Sequence, residues 1–169
     1  MKTIIASFLI VFFCCSAAAQ AHISLSAGAS RSELGRDVEG QKPLAGIAAS
    51  ASAGYRSGRI EPQAQLSYHR YGARLEATRL RSDYLNAAAL LYLHLPTAGG
   101  PDYCVALGAG PQLAISISGA GKGQSGWAAG FFIRVPWFVL YGQYHQSLNL
   151  PAIERTNYYS LTVGIPIAL

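Results

Sequence analysis

Apolar and polar residues alternate with a period of two through most of this chain, and the last eleven positions show it best. Tyr159, Leu161, Val163, Ile165, Ile167 and Leu169 fall on one face of an extended strand, with Ser160, Thr162, Gly164, Pro166 and Ala168 on the other. Seven earlier segments read as strands: His22 to Ser30, Leu44 to Tyr55, Arg59 to Tyr71, Tyr84 to Leu95, Tyr103 to about Ile115, Trp127 to Val135, and Trp137 to Ser147. Gly, Pro, Ser and charged clusters separate them, which is the punctuation of strands and turns.

Two of these segments set the sense of the pattern. In the third, Ile60, Ala64, Leu66 and Tyr68 oppose Glu61, Gln63, Gln65, Ser67 and His69. In the fourth, Leu85, Ala87, Ala89, Leu91, Leu93 and Leu95 oppose Tyr84, Asn86, Tyr92 and His94. Combined with an apolar face that runs to the last residue, this is the apolar-out, polar-in alternation of a transmembrane barrel that closes on its final strand. The predicted fold is an all-β, eight-stranded antiparallel transmembrane β-barrel with both termini in the periplasm. Pro62 and Pro111 lie inside strands, where each removes a ladder donor, so bulges are predicted there.

The connections reinforce this expectation. Long ones span roughly Arg31 to Pro43, Gly72 to Asp83, Ser118 to Ser125 and Leu148 to Asn157, and alternate with Arg56-Ser57-Gly58, Pro96 to Asp102 and a tight turn at Val135-Pro136. Of the 20 charged side chains beyond residue 21, 14 fall in the four long connections. A hydrocarbon-facing charge costs ~2–4 kcal/mol at the bilayer midplane, so a membrane would enforce that segregation. Tyr and Trp near the ends of the fifth, sixth and seventh strands suit interfacial girdles.

The N-terminus changes the address. Met1-Lys2, an apolar run from Ile4 to Cys15 and the small-residue stretch ending Ala19-Gln20-Ala21 form a secretory signal, with cleavage expected after Ala21. That divides the chain into a signal peptide, residues 1–21, and an outer-membrane β-barrel domain, residues 22–169. The apolar run is too short for a helical span, and no later segment is continuously apolar over the ~20 residues needed. Cys104 is then the one mature cysteine and forms no internal disulfide. With Lys2 removed, 12 basic and 8 acidic side chains remain. This modest, dispersed excess does not imply nucleic acid. It suits a monomer among outer-membrane lipids and lipopolysaccharide phosphates, with its surface loops open to a protein partner.

The segments Tyr84-Leu85-Asn86, Gly108-Ala109-Gly110-Pro111, Tyr141-Gly142-Gln143-Tyr144-His145 and Leu161-Thr162-Val163-Gly164 resemble the PorT-type outer-membrane β-barrel family of Bacteroidetes-like bacteria. The resemblance spans nearly the whole mature chain and rests on strand patterns with glycines. It implies the barrel fold, an outer-membrane address and a link to secretion or surface assembly. The terminal residue departs from the usual Phe, being Leu169.

Two constellations carry candidate chemistry. His145 and Ser147 share one strand face, and with Glu154 they are similar to the His-x-Ser pair and Glu of outer-membrane lipid A deacylases. Glu154 follows Pro151 in a loop, and no oxyanion donors accompany it, so catalysis at the outer rim is the alternative reading and no activity is expected. Glu61 and Arg134 are both assigned to the lumen, where an ion pair would plug or gate a narrow pore. Residues 119–126 are rich in glycine but lack the order of a phosphate loop, and His22, His69, His94 and His145 lack ligand spacing. No cofactor or metal is expected. The favoured role is structural, surface-interacting or assembly-associated.

Overall fold

The computed structural model describes residues 20–34, 41–75, 78–97, 103–118, 123–148 and 156–168. Eight strands follow in chain order: β1 (Gln20–Leu34), β2 (Gln41–Arg56), β3 (Ile60–Leu75), β4 (Thr78–Leu95), β5 (Cys104–Ser116), β6 (Gln124–Val135), β7 (Phe138–Ser147) and β8 (Thr156–Ala168). Each pairs antiparallel with its neighbour, and β1 pairs with β8 from His22↔Ala168 to Leu34↔Thr156, which closes the barrel. Closure gives both outer strands a partner and leaves no edge. The predicted eight-stranded closed barrel is the observed fold.

The alternation expected from the sequence sorts the two faces. Leu25, Leu66, Leu91, Leu113, Val163 and Ile165 stand exposed on the outer wall, Leu113 at 62% and Ile165 at 67%. Ser24, Glu61, Gln63, Gln65, Asn86, Gln112 and Gln143 are buried in the interior. An isolated soluble fold would lose the burial free energy of that wall, about 25 cal/mol per Å² of apolar surface left in water.

The strands are longer than the hydrophobic pattern predicted. Arg31–Leu34 extend β1, Gly72–Leu75 extend β3 and Thr78–Asp83 extend β4, so most of the expected 72–83 loop is ladder. The reason is that alternation marks a strand only where one face is apolar, whereas backbone pairing continues past that zone. Arg70 and Asp83, cross-strand partners joined at 2.8 Å, mark where the outer face turns polar. At the opposite end, Pro136-Trp137 rather than Val135-Pro136 forms the β6–β7 turn, because Val135 pairs with Phe138.

The prolines behave differently from expectation. Pro62 directs its donorless nitrogen toward β2, where the ladder stops at Gly54↔Gln63 and resumes at the isolated bridge Ser57↔Ile60 in the same register. Pro111 faces β4, and the β4–β5 ladder skips from Ala88↔Gln112 to Leu91↔Ala109, again without a shift. A missing donor is thus absorbed as a gap, not as the predicted bulge. The shift that is present among these pairs lies between Pro43 and Ala48 in β2.

Gly58 turns the chain between β2 and β3 at φ 60°, with nothing within 4 Å of a Cβ placed there. Only backbone conformation therefore penalises a side chain. Gly58→Ala is expected to lower folding stability by about 1 kcal/mol, the left-handed penalty of an L-residue, and Gly58→Asn by less. Urea unfolding midpoints of the three proteins check the ranking.

Candidate functional site

The inward residues stack in layers, and side chains reach across the lumen at several levels. Strands β3 and β7 stand opposite each other in an eight-stranded ring. Gln65 and Gln143 nevertheless exchange amide hydrogen bonds, Gln143 Nε2 donating to Gln65 Oε1 at 2.7 Å and Gln65 Nε2 donating back at 3.2 Å. One layer away, Gln63 Nε2 donates to the Tyr141 hydroxyl at 3.2 Å, and that hydroxyl also meets Ser24 at 2.8 Å. Tyr92, Phe132 and Tyr141 fill the same layer, with the Tyr92 and Phe132 rings 4.9 Å apart. Opposite walls are thus in direct hydrogen-bond contact at those levels.

Toward the end where β1 starts, β8 finishes and the tight turns lie, four ionisable side chains converge. Glu61 is fully buried. His94 Nε2 lies 2.9 Å from its Oε2, His22 Nε2 lies 3.2 Å from its Oε1, and an Arg134 guanidinium nitrogen is 3.6 Å from Oε1. Arg134 also comes within 2.7 Å of His22 Nε2 and packs over the Phe132 ring at 5.1 Å. Pairing of this kind is what a buried carboxylate requires, because its desolvation is not offset otherwise. Gly54 makes the space: a Cβ there would run into the His22 imidazole and Glu61 Oε1. The structure therefore brings the two lumen residues singled out in the sequence together and adds two histidines that spacing along the chain did not reveal. The available signal was faint, an inward-facing parity shared by His22, Glu61, His94 and Arg134.

The other sequence candidates lie toward the opposite end. His145 and Ser147 are both buried inside the barrel near the end of β7, where odd-numbered positions point inward. His145 Nδ1 faces Gln112 Oε1 at 2.5 Å, and its Nε2 has no hydrogen-bond partner. The imidazole stacks on Tyr158 at 4.2 Å with an 8° interplanar angle, and His69 lies against both rings. Neither ring nitrogen of His145 engages Ser147, and a nucleophile needs such a base. Glu154 lies outside the described residues. Cys104 is buried and unbridged. Among the described residues no group of three or more His, Cys, Asp or Glu side chains is arranged to hold a metal ion.

This geometry defines a class: a small, closed, eight-stranded antiparallel barrel with an apolar exterior and a polar, packed interior. Solved outer-membrane proteins share its fold. Neisserial surface protein A (NspA) aligns over 89% of this chain and 99% of its own, at 17% identity and a TM-score of 0.59. Ail, the attachment invasion locus protein of Yersinia pestis, aligns over 89% of this chain and all of its own, at 17% identity and a TM-score of 0.52. No family model and no curated protein matches the sequence. The likeness is one of fold.

Glu61→Leu would leave His22, His94 and Arg134 facing an apolar side chain, and is expected to cost about 3 kcal/mol, the penalty of a broken buried pair. Glu61→Gln, which keeps two polar atoms, should cost less. Unfolding titrations in matched detergent check the order.

Proposed function

We propose that the protein is an outer-membrane barrel with a sealed interior, acting through its outer surfaces in a structural or surface-interacting role. One observation carries this reading: Gln65 and Gln143 bond directly across the lumen from opposite walls. A side-chain-filled interior is what an eight-stranded barrel can hold, whereas channels accompany larger rings. The exposed apolar wall supports a bilayer setting, and the outer strand ends with the connections between them, which together carry most of the charge in the sequence, are the natural sites for partners. By the barrel rule the termini and tight turns face the periplasm. The lipid A deacylase alternative gains no support from a His145 turned to Gln112 inside the wall.

Two outcomes are expected. In planar bilayers the purified, heat-modifiable protein gives no stepwise conductance, and discrete openings would overturn the sealed-lumen reading. Leu91→Arg, on the outward face within the apolar stretch 85–95 of β4, lowers stability in phospholipid vesicles by ~2–4 kcal/mol. Urea titration in vesicles measures it, and an unchanged midpoint would place Leu91 outside the hydrocarbon.

A further inference from the structure

Nε2 of His22 sits between two groups with opposite demands. It is 2.7 Å from an Arg134 guanidinium nitrogen and 3.2 Å from Glu61 Oε1. A guanidinium only donates hydrogen bonds and a carboxylate only accepts them, while one imidazole nitrogen carries either a lone pair or a proton. His22 therefore bonds to Arg134 or to Glu61, but not to both. We propose that His22 is a proton-operated latch on Arg134 at the periplasmic mouth of the barrel.

In the latched state His22 is neutral with its proton on Nδ1, and Nε2 accepts from Arg134. The guanidinium is then held by that bond, by the charge of Glu61 and by the Phe132 face. His94, donating through Nε2 to Glu61 Oε2, keeps the carboxylate in place. When His22 takes a proton from water at the mouth, Nε2 becomes a donor and turns to Glu61. Arg134 loses its acceptor and gains a second cation at hydrogen-bond distance. No hydrogen bond on the far side of the ring is broken by the turn, because Nδ1 of His22 has no hydrogen-bond partner. The exit is short, since the Arg134 side chain is already 14% exposed and the residue is next to last in β6.

Titratable and charged groups face His22 from the elements packed around it, and Glu61 and His94 among them can themselves take a proton. β3 contributes Glu61, β4 contributes His94 and Tyr92, β5 contributes Cys104 directly across from Arg134, and β7 contributes Tyr141. β2 offers Gly54 opposite His22, with Arg56 nearer the turn, and β8 offers Pro166 and Gly164 at this level. Release opens a recess and not a channel, because the Tyr92, Phe132 and Tyr141 layer and the glutamine bridges lie beyond it. This inference stands apart from the sealed-lumen reading: conductance tests the one, side-chain protonation the other.

The test is nitrogen NMR of the folded protein in micelles, prepared with Gln20 and Ala21 ahead of His22 so that no α-amino group adjoins it, labelled at His and Arg and titrated from about pH 8 to about pH 5. Near the upper limit His22 Nε2 should read as unprotonated and His94 Nε2 as protonated. On acidification the His22 and Arg134 signals should move together with one midpoint. His22→Gln should abolish the Arg134 shift, and His94→Gln should leave it tied to His22. A proton on His22 Nε2 near pH 8, or an Arg134 shift that persists in His22→Gln, overturns the latch. Should His22→Gln fail to fold, the tautomer of the unaltered protein decides.

Discussion

Pairing of β1 with β8 is the constraint on which everything else in this molecule depends. It joins the first and last strands of the chain, so every strand has two neighbours and the backbone groups of the wall find partners within the wall. That satisfaction is what permits an exterior of leucine, isoleucine, valine and alanine, because hydrocarbon offers an unpaired amide nothing. It also encloses the polar faces of all eight strands in one narrow space. Glutamines, serines and tyrosines that would be solvated on an open sheet must there find one another.

The interior solves that problem by bonding across the ring. Gln65 to Gln143 and Gln63 to Tyr141 link side chains from walls four strands apart. The same contacts tie opposite walls of the barrel to each other. Glu61 is the extreme case, a fully buried carboxylate held by two histidines and an arginine from three other strands. The space they occupy exists because Gly54 has no side chain. Burial of so polar a group in a fold that could be filled with apolar residues is weak evidence for stability. A role in proton-dependent release of Arg134 gives it a physical reason to be there.

Several features are legible in the order of residues alone. The period of two, its apolar-out sense on β3 and β4, and the strand count follow from residue type, because adjacent side chains on a strand must point to opposite faces. The inward assignment of Glu61 and Arg134 is legible for the same reason. Strand ends are not, since Arg31–Leu34 and Thr78–Asp83 continue the ladder where neither face is apolar. The bulges expected at Pro62 and Pro111 do not form either, because a ladder gap accommodates the missing donor without a change of register.

Parity along a strand is a local property, and the sequence by itself determined it: which residues face out, which face in, and that eight such segments are present. Height in the barrel is a property of the closed ring. It depends on the stagger accumulated from strand to strand, so only the tertiary structure decided that His22 and His94 share a level with Glu61 and Arg134. The same stagger set Gln65 opposite Gln143 and turned His145 toward Gln112 rather than Ser147. No spacing within a strand encodes those meetings, because each joins residues whose relative height is fixed by every pairing between them.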